Sequence, residues 1–130
     1  MDMTKFIKLW LPVIIWATFI FYLSSIPYLK TNLSYDFVLR KIAHVTEYFI
    51  LTFLLYRAFH GSFDLITFYL FTYPACLSLL YAMSDEFHQR FVAGRNGSVN
   101  DVLIDSIGIV GFYVIVKIFK SSGSIQARKS

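Results

Sequence analysis

Long apolar runs, broken by a few ionisable residues near their ends, define the pattern of this 130-residue chain. From Leu9 to Leu29 there are 21 consecutive residues without Asp, Glu, Lys, Arg or His, and from Leu65 to Ser84 there are 20. Either run, as a helix, is long enough to cross a hydrocarbon core of about 30 Å. Two further segments are apolar apart from charges set mainly in their terminal turns. Lys41 to Phe59 carries Lys41, His44, Glu47 and Arg57, and the segment from Asp101 to Phe119 carries Asp101, Asp105 and Lys117. Long side chains there reach the interface and carboxylates face protein. The pattern predicts an all-α polytopic membrane protein, a four-transmembrane-helix bundle in one domain spanning 1–120. The helices are expected near 7–27, 41–60, 64–84 and 101–119, followed by a flexible cytoplasmic tail over 121–130.

Composition supports this reading. The chain is 57% hydrophobic and 15% charged, against roughly 25% charged for a soluble domain. Lys5 and Lys8 precede the first apolar run, as in a signal peptide, but that run exceeds the usual h-region of about 7–15 residues. A retained helix is expected. The single Cys76 has no intramolecular partner and is assigned to packing. Lys and Arg counts near helix ends set orientation. One side holds Lys5, Lys8, Arg57, Lys117, Lys120, Arg128 and Lys129; the other holds Lys30, Arg40, Lys41, Arg90 and Arg95. The count places both termini in the cytoplasm. The net charge of +4 then needs no nucleic-acid partner, since juxtamembrane cations face anionic lipid.

Up-and-down topology brings the ends of helices one and three to the starts of helices two and four. Asp36, Glu47, Asp85, Glu86, Asp101 and Asp105, six of the eight acidic residues, gather at that end, with His44 and His88. Ionisable groups at membrane depth are costly and face a bundle interior or a cavity, so this cluster is the candidate site. Helical spacing places Arg40, His44 and Glu47 on one stripe, and Asp85, His88 and Gln89 on another if helix three continues that far. Ser98-x-x-Asp101 matches a capping box, which gives Asp101 a structural role that Asp105, one turn deeper, lacks.

The bland readings stand beside the functional ones. His44 and Glu47 also suit a buried pair holding helix two against helix four, and Asp105 an ion pair with Arg90, Arg95 or Lys41. Gly108 and Gly111 suit close helix packing, and Pro74 a kink. The segment Arg90 to Ser98 is expected to form a short interfacial or re-entrant loop, with Arg90 and Arg95 paired to carboxylates or clamping an anion. No H-E-x-x-H, Cys pair or second His at i+4 specifies a metal, so no metal or cofactor is expected.

The segments Ser24-Ser25-x-Pro27, Lys41-Ile-Ala-His44-x-x-Glu47-Tyr48, Tyr81-x-x-Ser84-Asp85-Glu86-x-His88-Gln89-x-Phe91-Val92-x-Gly94-Arg95 and Asp101-x-x-x-Asp105-x-x-Gly108 together resemble the VanZ-like family of small bacterial integral membrane proteins. The resemblance runs from about Trp10 to Gly111. It implies a place in the cell envelope and an association with resistance to teicoplanin-type glycopeptides, met at the outer leaflet. Three functions stay open. One is a binder of an amphiphilic or lipid-linked envelope ligand, using Arg90, Arg95, Gln89, Asp101, Ser24 and Ser25. Another is an intramembrane hydrolase or transferase on an envelope lipid, with catalytic candidates His44, Glu47, Asp85, Glu86, His88 and Asp105. The third is a structural module with an internal ion-pair network.

Overall fold

The computed structural model describes residues 1–28, 32 and 34–129, with side chains as far as Gly123. Lys30, counted above for orientation, lies outside the described residues, as do the side chains of Arg128 and Lys129. The described residues form four α-helices and no strand: α1 (Met3–Ser25), α2 (Asp36–Ser62), α3 (Thr67–Gln89) and α4 (Val99–Lys129). Two stretches, Met3–Ser25 and Val99–Gly123, are long and apolar enough to cross a membrane.

The helix boundaries have local causes. Asp2 caps α1 by accepting from the Thr4 amide. Helix α2 starts at Asp36, ahead of the expected residue 41. There the Asp36 carboxylate pairs with Arg40 one turn on, at 2.9 Å, and a carboxylate in the first turn opposes the helix dipole. Helix α3 runs through the polar stretch Asp85 to Gln89 rather than ending at Ser84, because Asp85, Glu86 and Gln89 are buried against neighbouring helices. Of the expected tail, residues 121–129 are helical backbone in α4, and Ser130 is outside the described residues.

Proline inside α1 creates one tertiary contact. Pro12 has no amide hydrogen, so the carbonyl four residues back, that of Lys8, loses its helical donor. The guanidinium of Arg57 on α2 donates to that carbonyl at 2.7 Å. Trp16 Nε1 donates to the Glu47 carbonyl at 3.0 Å, and the Tyr81 hydroxyl to the Ala17 carbonyl at 2.5 Å. These bonds hold α1 to α2 and α3. The Thr52 hydroxyl donates to Ser78 at 2.9 Å between α2 and α3.

Helix α2 touches all three others, α3 also touches α1 and α4, and among the described residues α1 and α4 do not meet. The order around the bundle is therefore α1, α2, α4, α3. Ile20, Tyr48, Leu51, Leu55, Ala82 and Ile109 form the buried core. Large apolar side chains such as Ile14, Ile15 and Phe19 on α1 and Val110, Val114 and Ile118 on α4 are exposed, as an apolar surround permits. Cys76, expected to serve packing, is exposed on α3.

The α2–α4 contact is the tightest. A Cβ on Gly108 would lie 2.2 Å from the Val45 carbonyl oxygen and 2.9 Å from the Phe49 nitrogen, so only glycine lets the two backbones abut. At Gly111, also expected to serve close packing, the nearest atom is a Phe49 ring carbon at 3.9 Å, and a methyl group fits. Gly108→Ala is expected to destabilise the protein by about 1–3 kcal/mol, the usual cost of overpacking. Gly111→Ala is expected to stay within about 0.5 kcal/mol. Unfolding in detergent micelles distinguishes the two.

Candidate functional site

The abutting backbones of α2 and α4 bring the third turn of α2 against the second turn of α4. His44 Nδ1 lies 2.8 Å from Asp105 Oδ1, and Asp105 is fully buried. Expected partners Arg90, Arg95 and Lys41 do not reach Asp105; Lys41 forms its ion pair with Asp101 instead. The His44–Glu47 pair is likewise replaced. His44 does bridge α2 to α4, but through Asp105, while Glu47 lines a chamber bounded by α1 and α3.

Glu86, 3% exposed, reaches α4 from the last turns of α3. One carboxylate oxygen, Oε2, accepts the Ser98 amide at 3.0 Å; the other, Oε1, stands 3.9 Å from His44 Nδ1. This changes the expected capping box. Ser98 Oγ accepts from the Asp101 amide at 3.1 Å as predicted, but the reciprocal acceptor is Glu86, and Asp101 is free to bind Lys41. Gly97 makes this possible, since a Cβ there would sit 1.9 Å from the Glu86 carbonyl oxygen.

Arg95 folds back under α1. Its Nη2 donates to the Leu23 carbonyl at 2.7 Å and its Nε to the Ile26 carbonyl at 3.3 Å. The carbonyls at a helix C-terminus have no intrahelical donors and carry partial negative charge, which explains why Arg95 pairs with backbone rather than with a carboxylate. Burial pulls the pKa of this guanidinium below its ordinary value, against the opposing effect of Asp85. The Tyr28 amide donates to the Ala93 carbonyl at 3.0 Å, tying the first connection to the third.

Two adjoining chambers open beside these residues. The inner, of about 100 Å³, lies between α1, α2 and α3 and is lined by Ser24, His44, Glu47, Asp85, Gln89 and Arg95 among others. The outer, of about 290 Å³, is walled by Arg40, Lys41, Arg95 and Asp101, with Phe37 at its rim. Arg40, His44, Gln89 and Arg95 line both. Gln89 Nε2 donates to Asp85 Oδ2 at 3.2 Å, while Asp85 Oδ1 and Ser24 Oγ have no hydrogen-bond partner among the described residues.

Three predicted residues lie elsewhere. His88 stacks on Phe21, with centroids 4.6 Å apart, and its Nε2 is 3.1 Å from Ser25 Oγ, so both belong to the α1–α3 contact. Arg90 lines a separate groove between α3 and α4. Sequence reading placed Arg40 on the His44 stripe without making it a wall of the site. It likewise placed Tyr48 on an overlapping stripe with Lys41 and His44 without making it a site residue; Tyr48 is fully buried, and its hydroxyl has no partner among the described residues. The signal for both was helical spacing from His44.

A family model described as VanZ/LLP1 matches residues 9–120. The chain belongs to the VanZ/LLP1 family. The match contains every residue of the two chambers. A Bacillus subtilis (strain 168) protein described as "Uncharacterized membrane protein YwnJ" is 37% identical over 82 residues, covering 61% of this chain and 51% of that protein. The chain thus spans about half the length of that relative. No solved structure matches it. As a VanZ/LLP1 membrane protein, the chain carries its polar residues at one end of an otherwise apolar bundle.

Arg95→Ala strips two carbonyls of a charged donor and is expected to cost about 1.5–3 kcal/mol. Ser98→Ala removes an N-cap and is expected to cost about 1 kcal/mol. Chemical denaturation of the purified chain reads both.

Proposed function

We propose that this VanZ/LLP1 protein crosses the membrane four times, with both termini cytoplasmic. Its polar chambers then open at the extracytoplasmic face and bind the headgroup of an amphiphilic or lipid-linked envelope ligand. Through that binding it acts in resistance to teicoplanin-type glycopeptides, the association that the family resemblance brings. The observation that carries the reading is the pair of chambers sharing Arg40, His44, Gln89 and Arg95. Three cations, Arg40, Lys41 and Arg95, wall the outer chamber and suit an anionic group such as phosphate. Glu47, Asp85 and Gln89 in the inner chamber suit hydroxyl and amide donors. The volumes, about 100 and 290 Å³, fall below the usual range of small-molecule sites, about 300–1,000 Å³, so they admit a headgroup and not a whole glycopeptide.

Hydropathy supports the spans of α1 and α4; for α2 and α3 the support is their length, 27 and 23 residues, and for the orientation it is the positive-inside count. Resistance by this route works through an envelope component, not through capture of the antibiotic.

A second reading rests on the His44–Asp105 contact. A carboxylate that holds one imidazole nitrogen orients the other as a general base. With Nδ1 held by Asp105, His44 Nε2 would take the proton from water or an acceptor hydroxyl in a hydrolase or transferase acting on an envelope lipid.

Susceptibility to teicoplanin, scored with membrane abundance, tests the proposal. Arg40→Ala and Gln89→Ala are expected to restore susceptibility at unchanged abundance, and Arg40→Ala to weaken headgroup binding by about 10- to 100-fold, the equivalent of losing a charge-assisted hydrogen bond. Arg90→Ala, outside the chambers, is expected to behave as wild type. If abundance falls whenever susceptibility changes, the cluster is a structural ion-pair network and the binding reading fails. Lipid profiles of cells with and without His44→Ala separate enzyme from binder: a substrate accumulates only if a reaction is lost.

A further inference from the structure

We propose that His44, Glu86 and Asp105 form a binding site for one divalent transition cation, with Zn²⁺ or Mn²⁺ as the class that fits. Each residue comes from a different helix, α2, α3 and α4, and each offers one ligand atom. The three atoms lie within 4.8 Å of one another. His44 Nδ1 is 2.8 Å from Asp105 Oδ1 and 3.9 Å from Glu86 Oε1. An ion bound at about 2.0–2.2 Å from each ligand requires ligand atoms roughly 3–3.5 Å apart, and the two separations from His44 lie on either side of that spacing.

The carboxylates themselves point to a ligand. Glu86 and Asp105 are 3% and 0% exposed, and Glu86 Oε1 and Asp105 Oδ2 have no hydrogen-bond partner among the described residues. Buried carboxylate oxygens are ordinarily hydrogen-bonded, paired or metal-bound. The neighbouring cations contact groups other than Glu86 and Asp105: Lys41 pairs with Asp101, Arg40 with Asp36, and Arg95 donates to the Leu23 and Ile26 carbonyls. A divalent cation balances the two carboxylates, with His44 neutral, and takes the place of the His44–Asp105 hydrogen bond. One imidazole with two carboxylates suits Zn²⁺ or Mn²⁺ better than an all-oxygen cation such as Ca²⁺. Glu86 is held for the task, since Oε2 is fixed by the Ser98 amide and Oε1 faces the other two ligands.

The site stands independently of the headgroup proposed above, and its test uses no envelope ligand. The purified full chain in detergent micelles, stripped with EDTA, is titrated separately with Zn²⁺ and Mn²⁺ by calorimetry, and bound ion is counted by elemental mass spectrometry. The expected result is one ion per chain and a raised melting temperature. Glu86→Gln keeps an oxygen for the Ser98 amide and is expected to weaken binding by at least about 100-fold, more than loss of a supporting contact; Asp105→Asn is expected to match it. His88→Ala, a histidine outside the cluster, is expected to bind as wild type. Absence of saturable binding of either ion to the wild type overturns the proposal. So does binding that Glu86→Gln and Asp105→Asn leave unchanged.

Discussion

Backbone contact between α2 and α4 at Gly108 is the constraint on which the polar end of this bundle depends. Helices that approach without an intervening side chain gain packing and exclude competitors for the space between them. The contact falls on the Val45 carbonyl, next to His44, and Gly108 follows Asp105 by one turn. The same approach that brings the backbones together therefore sets an imidazole against a carboxylate at depth. Glu86 enters from α3 only because α4 begins where its carboxylate accepts the Ser98 amide. The cluster is thus a consequence of helix packing in three places, not of any local motif.

What the sequence made legible follows from cost. Carboxylates and histidines in apolar runs are expensive, so His44, Glu47, Asp85, Glu86 and Asp105 stood out, and the structure brings them to one end of the bundle. Periodicity gives the face of a single helix but not the helix opposite. For that reason the partner of Asp105 was not legible, nor was the turn of His88 toward Phe21. The capping box was half right for a related cause. Spacing identifies a hydroxyl that accepts an amide three residues on, but it cannot know that a carboxylate from another helix will take the reciprocal amide. Metal-site patterns record ligands close in sequence, so they do not reach a grouping such as His44, Glu86 and Asp105, whose members come from three helices.

The arginines show a second regularity. Arg57 and Arg95 both donate to main-chain carbonyls, one exposed by Pro12 and the others left over at the end of α1. Where the backbone absorbs cationic donors, formal charge counts overstate how much positive charge is available to buried acids. A net charge of +4 therefore coexists with an acidic interior.

Glu86 serves two masters through its two oxygens: one holds the last amide of the α3–α4 junction, the other faces the His44–Asp105 pair. Any event that draws on one oxygen alters the basicity and position of the other, and such coupling is reciprocal. The beginning of α4 and the interior cluster therefore share a single adjustable joint. One side chain thus ties the loop before α4 to the buried imidazole and carboxylate behind it.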